Sequence, residues 1–418
     1  MKTCRKLLLL CILLPPAFLP SCTTSTDSEK VSQTASFVSI SGENLIAPDG
    51  SVFYIQGTNL GNWLNPEGYM YGFKKTNSAH FINEMLCQLA GPDFTAAFWK
   101  RYKDSYITRD DMLFIKSTGA NTVRLPFHYK LFTDEDYMGL TAAQDGFARI
   151  DSLVSWCREA GLYLILDMHD APGGQTGDNI DDSYGYPWLF ESEESQQLFC
   201  DIWKSIADHY KNEPVILGYE LLNEPIAHFF SNKEELNAKL AEVYKKGIGA
   251  VREVDKNHII LLGGAQWNMN FEPLACFKDE PGVMFTCHWY GGPATKEGIS
   301  SYIAFRDSMD MPMYMGETGQ NTDKWQSDLV KVMKENNIGY TFWPYKKMGK
   351  TTFASIIPPE NWDEVVNFAE SPRVSYEEIR KARPDMDSAR TALNGYLEAI
   401  KLENCEIQDS YINSLGLR

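Results

Sequence analysis

Short apolar runs alternate with longer segments of helical periodicity through most of this chain. Eight of the runs are typical of buried strands, because each is only a few residues long and is bounded by polar or turn residues. They cover residues 52–59, 122–126, 163–168, 216–222, 259–262, 284–288, 313–316 and 340–343. Between them, apolar residues recur every three or four positions, as in Leu236, Leu240 and Val243, which predicts helices packed on one face.

Five helices are predicted in this way, over residues 109–117, 147–159, 197–210, 233–251 and 326–335. A strand followed by a helix, repeated eight times, predicts a parallel sheet closed into a (β/α)8 TIM barrel. Extra helices are expected in residues 70–108, after the first strand, and in 388–401, near the C-terminus. An open doubly wound sheet is the alternative, but no Gly-rich nucleotide-binding turn follows the first strand.

The first residues predict export rather than folded structure. Three basic and no acidic residues precede or flank the apolar stretch 7–14, which is too short to span a bilayer. Residues 19–22 (LPSC) resemble a bacterial lipobox, in which Cys22 becomes the lipidated first residue. Plain secretion with cleavage nearby is the alternative. We therefore expect an exported protein, lipid-anchored in the bacterial cell envelope at the outer membrane, facing the periplasm or the surface.

The predicted organisation is a signal peptide over 1–21, a Ser/Thr-rich flexible tether over 22–36, and one folded domain over 37–418. The formal net charge of -17 disfavours nucleic acid as a partner, since an acidic surface repels phosphate. Six cysteines remain beyond Cys22, with no CxxC pair or His/Cys cluster, so neither a metal nor another cofactor is predicted. Their disulfide pairing stays open, and so does the oligomeric state.

Two glutamates stand at the ends of predicted strands. Glu224 follows the fourth run in the sequence LLNEP, and Pro225 cannot continue a central strand. Glu317 follows the seventh run in MYMGE. Because function in a TIM barrel lies at the C-terminal ends of its strands, the two carboxyls are expected to share one site. Such a pair is what hydrolysis of a glycosidic bond needs: one acid, and one nucleophile or base.

Other strand ends carry polar or aromatic residues where turn residues are common. Taken singly, each fits a structural role, such as an ion pair, a core histidine or a packed ring. Their convergence on one end of consecutive strands favours function; they are Arg124, His169, Asn223, His288, Tyr290 and Trp343. Loop aromatics, among them Trp267, offer apolar platforms for pyranose rings. The acidic group Asp178, Asp181 and Asp182 matches no calcium loop and is interpreted as a solvated turn.

These motifs resemble glycoside hydrolase family 5, in the retaining clan of (β/α)8 enzymes, over about residues 53–345. Residues 57–64 (GTNLGNWL), with Glu67 beyond, and residues 167–175 (DMHDAPGGQ) resemble exo-β-1,3-glucanases of that family. Asp170 stands where those enzymes usually have Gly, and residues 344–347 (PYKK) also differ. The resemblance therefore leaves exo-1,3 specificity open.

The resemblance implies a role for each matched residue. Glu224 is expected to be the acid/base and Glu317 the nucleophile. Asn223 is expected to bind the sugar 2-hydroxyl, Trp343 to form a sugar platform, and Glu67 to bind hydroxyls at the non-reducing end. Arg124, His169, His288 and Tyr290 are expected to line the site.

The predicted function is a retaining β-glycoside hydrolase acting on a β-glucan or related glycan by double displacement. Arg124 and Tyr290 are expected to lower the pKa of Glu317, and burial to raise that of Glu224. A non-catalytic carbohydrate-binding protein on the same barrel is the main alternative. An esterase is disfavoured, because no Gly-x-Ser-x-Gly elbow is present. The sugar, the linkage and the choice between exo and endo action stay open.

Overall fold

The eight apolar runs form a closed barrel of parallel strands. The computed structural model describes residues 37–139 and 144–418. The strands, numbered here first to eighth, are Gln56–Asn59, Thr122–His128, Tyr163–Asp170, Ile216–Glu220, Ile259–Gly263, Val283–Trp289, Met313–Thr318 and Gly339–Phe342. Each pairs with its neighbours in the chain, and the eighth closes on the first through Tyr340 and Gln56. The predicted TIM barrel is confirmed.

Helices cover the outside of the barrel, as the periodicity predicts. They are Ala79–Ala90, Pro92–Tyr106, Arg109–Ser117, Gln144–Ala160, Glu193–Tyr210, Lys233–Val254, Ala265–Asn268, Ser300–Met309, Asp323–Glu335, Trp362–Glu370, Tyr376–Ala382, Met386–Ala399 and Asp409–Ser414. The helix Arg109–Ser117 has the predicted bounds, set by a capping box between Thr108 and Asp111. The helix Ser300–Met309 was not predicted, because its buried face includes Arg306, which interrupts the apolar stripe.

The predicted first strand, residues 52–59, divides in two. Its first part, Val52–Phe53, joins Ser39–Ser41 and Asn44–Ile46 in a small antiparallel sheet, and only Gln56–Asn59 enters the barrel. Val38 and Leu45 of the N-terminal segment share a buried cluster with Ile165 and Leu217 of the barrel strands. This apolar packing covers the amino ends of the strands and leaves the opposite mouth as the place for a site.

The C-terminal segment packs on the helices that follow the first strand. The rings of Trp362 and Tyr396 stack at 4.6 Å, and Tyr396 also stacks on Tyr102 at 6.4 Å. Beside them, Lys346 and Asp111 form a wholly buried ion pair at 2.6 Å. Both helical additions that the sequence predicts are therefore present, and they pack against each other.

The export signal, Cys22 and the tether lie outside the described residues and remain predictions. Within the described part, all six cysteines are free thiols; they are Cys87, Cys157, Cys200, Cys276, Cys287 and Cys405. None of the helices in the described ranges is long and apolar enough to cross a membrane.

Candidate active site

A buried arginine organises the carboxyl-end mouth of the barrel. Arg124 lies on the second strand and is wholly buried. Its partners come from the first, third, fourth and seventh strands and from the loop after the fourth. It donates hydrogen bonds to Glu220 Oε2 and Oε1 (2.8 and 2.7 Å), Glu317 Oε1 (2.7 Å), Asn59 Oδ1 (3.0 Å) and Asn223 Oδ1 (2.8 Å), and it forms an ion pair with Asp167 Oδ2 (3.0 Å). Burial lowers the pKa of the guanidinium, but these carboxylates outweigh it and leave that pKa well above its ordinary value. A buried cation needs such partners, because it has lost its water.

Glu317 is presented by an irregularity in the seventh strand. Pairing with the sixth strand shifts register between Met315 and Glu317, which re-aims the side chain, as β-bulges do. Gly316 is required there, since a Cβ at this position would lie 2.3 Å from Thr286 Oγ1. Besides Arg124, the Tyr290 hydroxyl donates to Glu317 Oε2 at 3.0 Å. Both carboxylate oxygens therefore accept hydrogen bonds that stabilise negative charge.

Glu224 lies on a loop rather than on a strand. The fourth strand ends at Glu220, two residues before the predicted end, and Glu224 has a left-handed backbone with φ 46°. The loop after the third strand supports it, because Thr176 Oγ1 donates to the Glu224 carbonyl and Gln175 Nε2 to that of Asn223, both at 2.8 Å. The position of this carboxyl thus depends on a neighbouring loop.

The environment of Glu224 favours its protonated form. Burial raises its pKa to about 7, and the negative charges of Glu220 and Asp178 act in the same direction, against His169 and Arg124. Its Oε1 lies 2.7 Å from His288 Nδ1. Burial also lowers the pKa of His288 to about 4, so that imidazole is neutral at neutral pH. Burial thus acts on the pKa of Glu224 in the direction expected from the sequence.

The two glutamates face each other across the mouth. One oxygen of each and one ring nitrogen of His288 all lie within 4.8 Å of one another. This trio is the only cluster of metal-ligand type in the residues described. However, the 2.7 Å contact between Glu224 and His288 is shorter than the separation of about 3.3 Å expected for two ligands of one tetrahedral zinc ion. The contact has the length of a shared hydrogen bond.

His169 and Asn223 form a second polar pair beside the carboxyls. His169 Nδ1 lies 2.7 Å from Asp167 Oδ2, and its Nε2 lies 3.2 Å from Asn223 Nδ2. Burial lowers the pKa of His169 to about 4 and raises that of Asp167 to about 7. Because Arg124 donates to the side-chain Oδ1 of Asn223, the Nδ2 of that amide must face His169.

A cavity of about 490 Å³ opens over these groups. It is lined by Glu67, Tyr69, His169, Asp178, Ile180, Glu224, Trp267, Met269, His288, Tyr290, Glu317, Gln320 and Trp343. Of the predicted site residues, only Arg124 and Asn223 are absent from this lining. The ring of Trp343 stacks parallel to His169 at 5.4 Å. Gly61 leaves room for it, since a Cβ there would lie 2.7 Å from the indole.

Several groups at this mouth were not predicted. Glu220 could have been, because an acidic residue inside an otherwise apolar strand is unusual and indicates a buried partner. Tyr69 and Gln320 carried none, because their loops approach the cavity only in the folded chain. The interpretation of a solvated acidic turn is wrong for Asp181, which is 2% exposed and accepts backbone hydrogen bonds from Thr176, Gly177 and Ser183.

A strained turn holds Trp267 at the cavity wall. Gln266, Trp267 and Asn268 have φ of 51°, 61° and 59°, in the left-handed region that costs non-glycine residues energy. Side-chain hydrogen bonds between Gln266 and Asn237, at 2.8 and 3.3 Å, stabilise the turn. The buried Trp267 Nε1 has no hydrogen-bond partner. The indole of Trp267 therefore forms part of the cavity wall.

Comparison with known proteins agrees with this geometry. The family model described as cellulase (glycosyl hydrolase family 5) matches residues 80–349. The chain belongs to glycosyl hydrolase family 5. It is therefore an O-glycosyl hydrolase.

The proteins that this chain is similar to differ in their named activities. A beta-xylosidase of Phanerodontia chrysosporium is 26% identical over 349 residues, covering 75% of this chain and 71% of the relative. A probable glucan 1,3-beta-glucosidase A of Aspergillus fumigatus is 29% identical over 243 residues, covering 56% and 55%. The crystal structure of endoglucanase Cel5A from Thermotoga maritima superposes with a TM-score of 0.51 at 19% identity, covering 76% and 96%. The last similarity shows the barrel fold alone.

Proposed function

We propose that this family 5 protein is a retaining β-glycoside hydrolase that acts by double displacement. The observation that carries the proposal is the spacing of Glu224 and Glu317, whose nearest oxygens lie within 4.8 Å. Retaining enzymes hold their carboxyls about 5–5.5 Å apart, whereas inverting enzymes need roughly 6.5–9.5 Å to admit a water molecule between base and sugar. The short spacing therefore supports attack by a carboxylate.

In the first step, Glu317 attacks the anomeric carbon while Glu224 gives its proton to the glycosidic oxygen. The bond to the leaving group breaks, and a glycosyl ester forms on Glu317. Glu317 has then lost its negative charge, which stabilises the carboxylate that the first step leaves on Glu224. In the second step Glu224 takes a proton from water, and the resulting hydroxide displaces Glu317 from the same face as the departed group. The product keeps the β configuration.

The surrounding groups support these steps in distinct ways. Arg124 and Tyr290 hold the two oxygens of Glu317 and stabilise its charge before attack and after release. The Asn223 amide nitrogen, fixed through Arg124 and His169, is placed to donate to the sugar 2-hydroxyl, an interaction that strengthens in the transition state by several kcal/mol. Neutral His288 positions the Glu224 carboxyl through the 2.7 Å contact.

The proposed substrate is a β-glucan or a related β-linked glycan, and no cofactor is invoked. The names of the beta-xylosidase and glucan 1,3-beta-glucosidase relatives support the β linkage. Trp343 follows the eighth strand, Trp267 follows the fifth, and both residues line the cavity. Their rings offer apolar faces of the kind that pyranoses contact. We assign Trp343 to the sugar that is attacked and Trp267 to the departing group.

Hydrolysis of 2,4-dinitrophenyl β-glycosides, followed by proton NMR, tests the mechanism. We expect the β anomer to appear first. Glu317→Ala and Glu224→Ala should each lose at least a thousandfold in turnover of polymeric glycan. With azide, Glu224→Ala should yield a β-glycosyl azide from the aryl substrate, because its first step needs no proton. Glu272→Ala, at an exposed glutamate that also precedes proline, should keep full activity.

An α anomer as first product would contradict retention. Binding of glycans by the unaltered protein without any hydrolysis, on aryl and polymeric β-glycosides alike, would favour the non-catalytic alternative instead.

We also propose export with lipid attachment at Cys22, supported by the N-terminal pattern alone. Metabolic labelling with a radioactive fatty acid should label the protein and leave Cys22→Ala unlabelled.

A further inference from the structure

One hydroxyl joins three loops at the Glu317 side of the cavity. Tyr69 lies in the turn Gly68–Tyr71, after the first strand. Its hydroxyl accepts hydrogen bonds from Trp343 Nε1 at 2.5 Å and from Gln320 Nε2 at 3.3 Å. These partners follow the eighth and seventh strands, and all three residues line the cavity. This side of the mouth is therefore bounded by loops that are hydrogen-bonded to one another.

Glu67 presents an unsatisfied group from the same segment. It lines the cavity, is 5% exposed, and its Oε1 has no hydrogen-bond partner. Its backbone is held in place, since Asn62 Oδ1 accepts from Glu67 N at 3.0 Å. Leaving a buried carboxyl oxygen unpaired costs free energy, so a ligand hydroxyl is the natural partner. This segment therefore bounds the cavity and also offers a hydrogen-bonding group to a bound ligand.

A C-terminal helix anchors this segment, residues 67–77, which we name the wall loop. The helix Trp362–Glu370 is joined to it by hydrogen bonds along the length of the loop. Trp362 Nε1 donates to the Tyr71 carbonyl (2.9 Å), Thr76 Oγ1 donates to that of Ala369 (2.6 Å), and Glu370 Oε1 accepts from Lys74 N and Lys75 N (2.6 and 3.0 Å). A loop tied at both halves in this way cannot swing aside without breaking several hydrogen bonds.

We propose that the wall loop and its C-terminal anchor close the cavity behind a single sugar. The enzyme then releases monosaccharides from the non-reducing ends of its glycan. This inference rests on the proposed function, in which Glu317 attacks the bound sugar and Glu224 protonates the departing group. The wall lies on the Glu317 side, so no second sugar can precede the one attacked, and the chain departs past Glu224.

A β-linked tetrasaccharide labelled at its reducing end distinguishes the two modes. We expect the first products to be an unlabelled monosaccharide and a labelled trisaccharide. Disaccharide as a first product of the unaltered enzyme would overturn the inference. If the enzyme cleaves neither aryl β-glycosides nor any β-glycan, the proposed function fails instead, so the two failures are distinguishable.

Removing the Tyr69 side chain should change the product pattern as well as the rate. Tyr69→Ala should raise the initial ratio of disaccharide to monosaccharide at least tenfold, because a second sugar gains room beyond the first. Glu370→Ala, which releases the anchor of the wall loop, should raise this ratio in the same direction but less. Tyr376→Ala, at a tyrosine that is 82% exposed on another C-terminal helix, should leave product ratio and rate unchanged.

A purely structural role for Tyr69 would lower rate and stability without moving the product ratio. Exclusive release of monosaccharide by a folded Tyr69→Ala variant would therefore overturn the inference. If that variant does not fold, Gln320→Ala serves in its place, since Gln320 lines the same side and donates to the same hydroxyl. The initial ratio of disaccharide to monosaccharide should rise at least threefold in Gln320→Ala. An unchanged ratio would overturn the inference.

Discussion

The two sides of the barrel mouth hold their glutamates in opposite ways. Glu317 stands within a strand and receives hydrogen bonds from Arg124 and Tyr290 on both oxygens. Glu224 stands on a loop with a left-handed backbone, and its carboxyl has one close protein partner, His288. The first carboxyl belongs to the sheet, and the second belongs to the loops.

This difference matches the different work proposed for the two groups. A nucleophile needs a stable charge, which a rigid sheet and a buried guanidinium supply. An acid/base must gain and lose a proton near neutral pH, which requires burial without strong fixed donors. We expect substitutions around Glu317 to be more damaging than those around Glu224.

The largest effect is expected at the centre of the Glu317 side. Arg124→Leu leaves the buried Glu220 and Asp167 carboxyls without their cation. We expect it to destabilise the fold by about 3–5 kcal/mol and to lower kcat/KM at least a thousandfold. Urea unfolding and assay of an aryl glycoside measure the two losses. Arg109→Leu is the matched control, since its ion pair with Glu159 lies at the surface, where solvent screens it, and both losses should be small.

Asn223, which links the two sides, should have the next largest effect. We expect Asn223→Ala to lower kcat/KM about a hundredfold, because a donor to the transition state is lost. A 2-deoxy glycoside should lose a similar factor with the unaltered enzyme and nothing more with the variant. Additive losses from the two changes would show that Asn223 does not bind the 2-hydroxyl.

The raised pKa of Glu224 predicts that activity and stability both fall as pH rises. As the acid, Glu224 must be protonated, so kcat/KM should fall as pH rises above about 7. The folded pKa of about 7 lies above the ordinary 4.5, so native Glu224 binds its proton more tightly than unfolded Glu224. Its contribution to stability is therefore present below pH 4.5 and is lost as pH rises through 7.

Glu224→Gln removes this titration. At pH 8 we expect the variant to be more stable than the unaltered protein by on the order of 3 kcal/mol, with little difference at pH 4.5. Urea denaturation at the two pH values measures the gap. An equal gap at both values would show that packing or hydrogen bonding, rather than ionisation, accounts for the change.

The smallest effect is expected at Trp267, on the Glu224 side. Trp267→Ala removes a ring that we assign to the departing group. A loss of about 1–1.5 kcal/mol, roughly tenfold in kcat/KM, is expected on a β-linked oligosaccharide. The loss on a dinitrophenyl glycoside should be under about threefold, since that group leaves without help. Equal losses on both substrates would show that Trp267 does not act on the departing group.

Much of this arrangement followed from local pattern. All eight barrel strands lay within a few residues of their predicted positions, because a strand buried on both faces is a continuous apolar run. The division of the predicted first strand at residues 54–55 was not predicted, because the apolar run over residues 52–55 continues without a turn signal into Gln56–Asn59. The two parts pair with different strands, which only the folded chain decides. The predicted site residues converge because parallel strands of a barrel all end at one mouth.

The sequence alone thus determined the barrel, the family and the two opposed glutamates, since periodicity and strand-end residues are local properties. Tertiary structure alone decided the network around Arg124, the turn at Trp267 and the wall loop. Those depend on contacts between residues far apart in the chain, such as Tyr69 with Trp343. No local pattern encodes them, because which loops meet over a cavity is settled only when the sheet closes and the C-terminal helices pack against it.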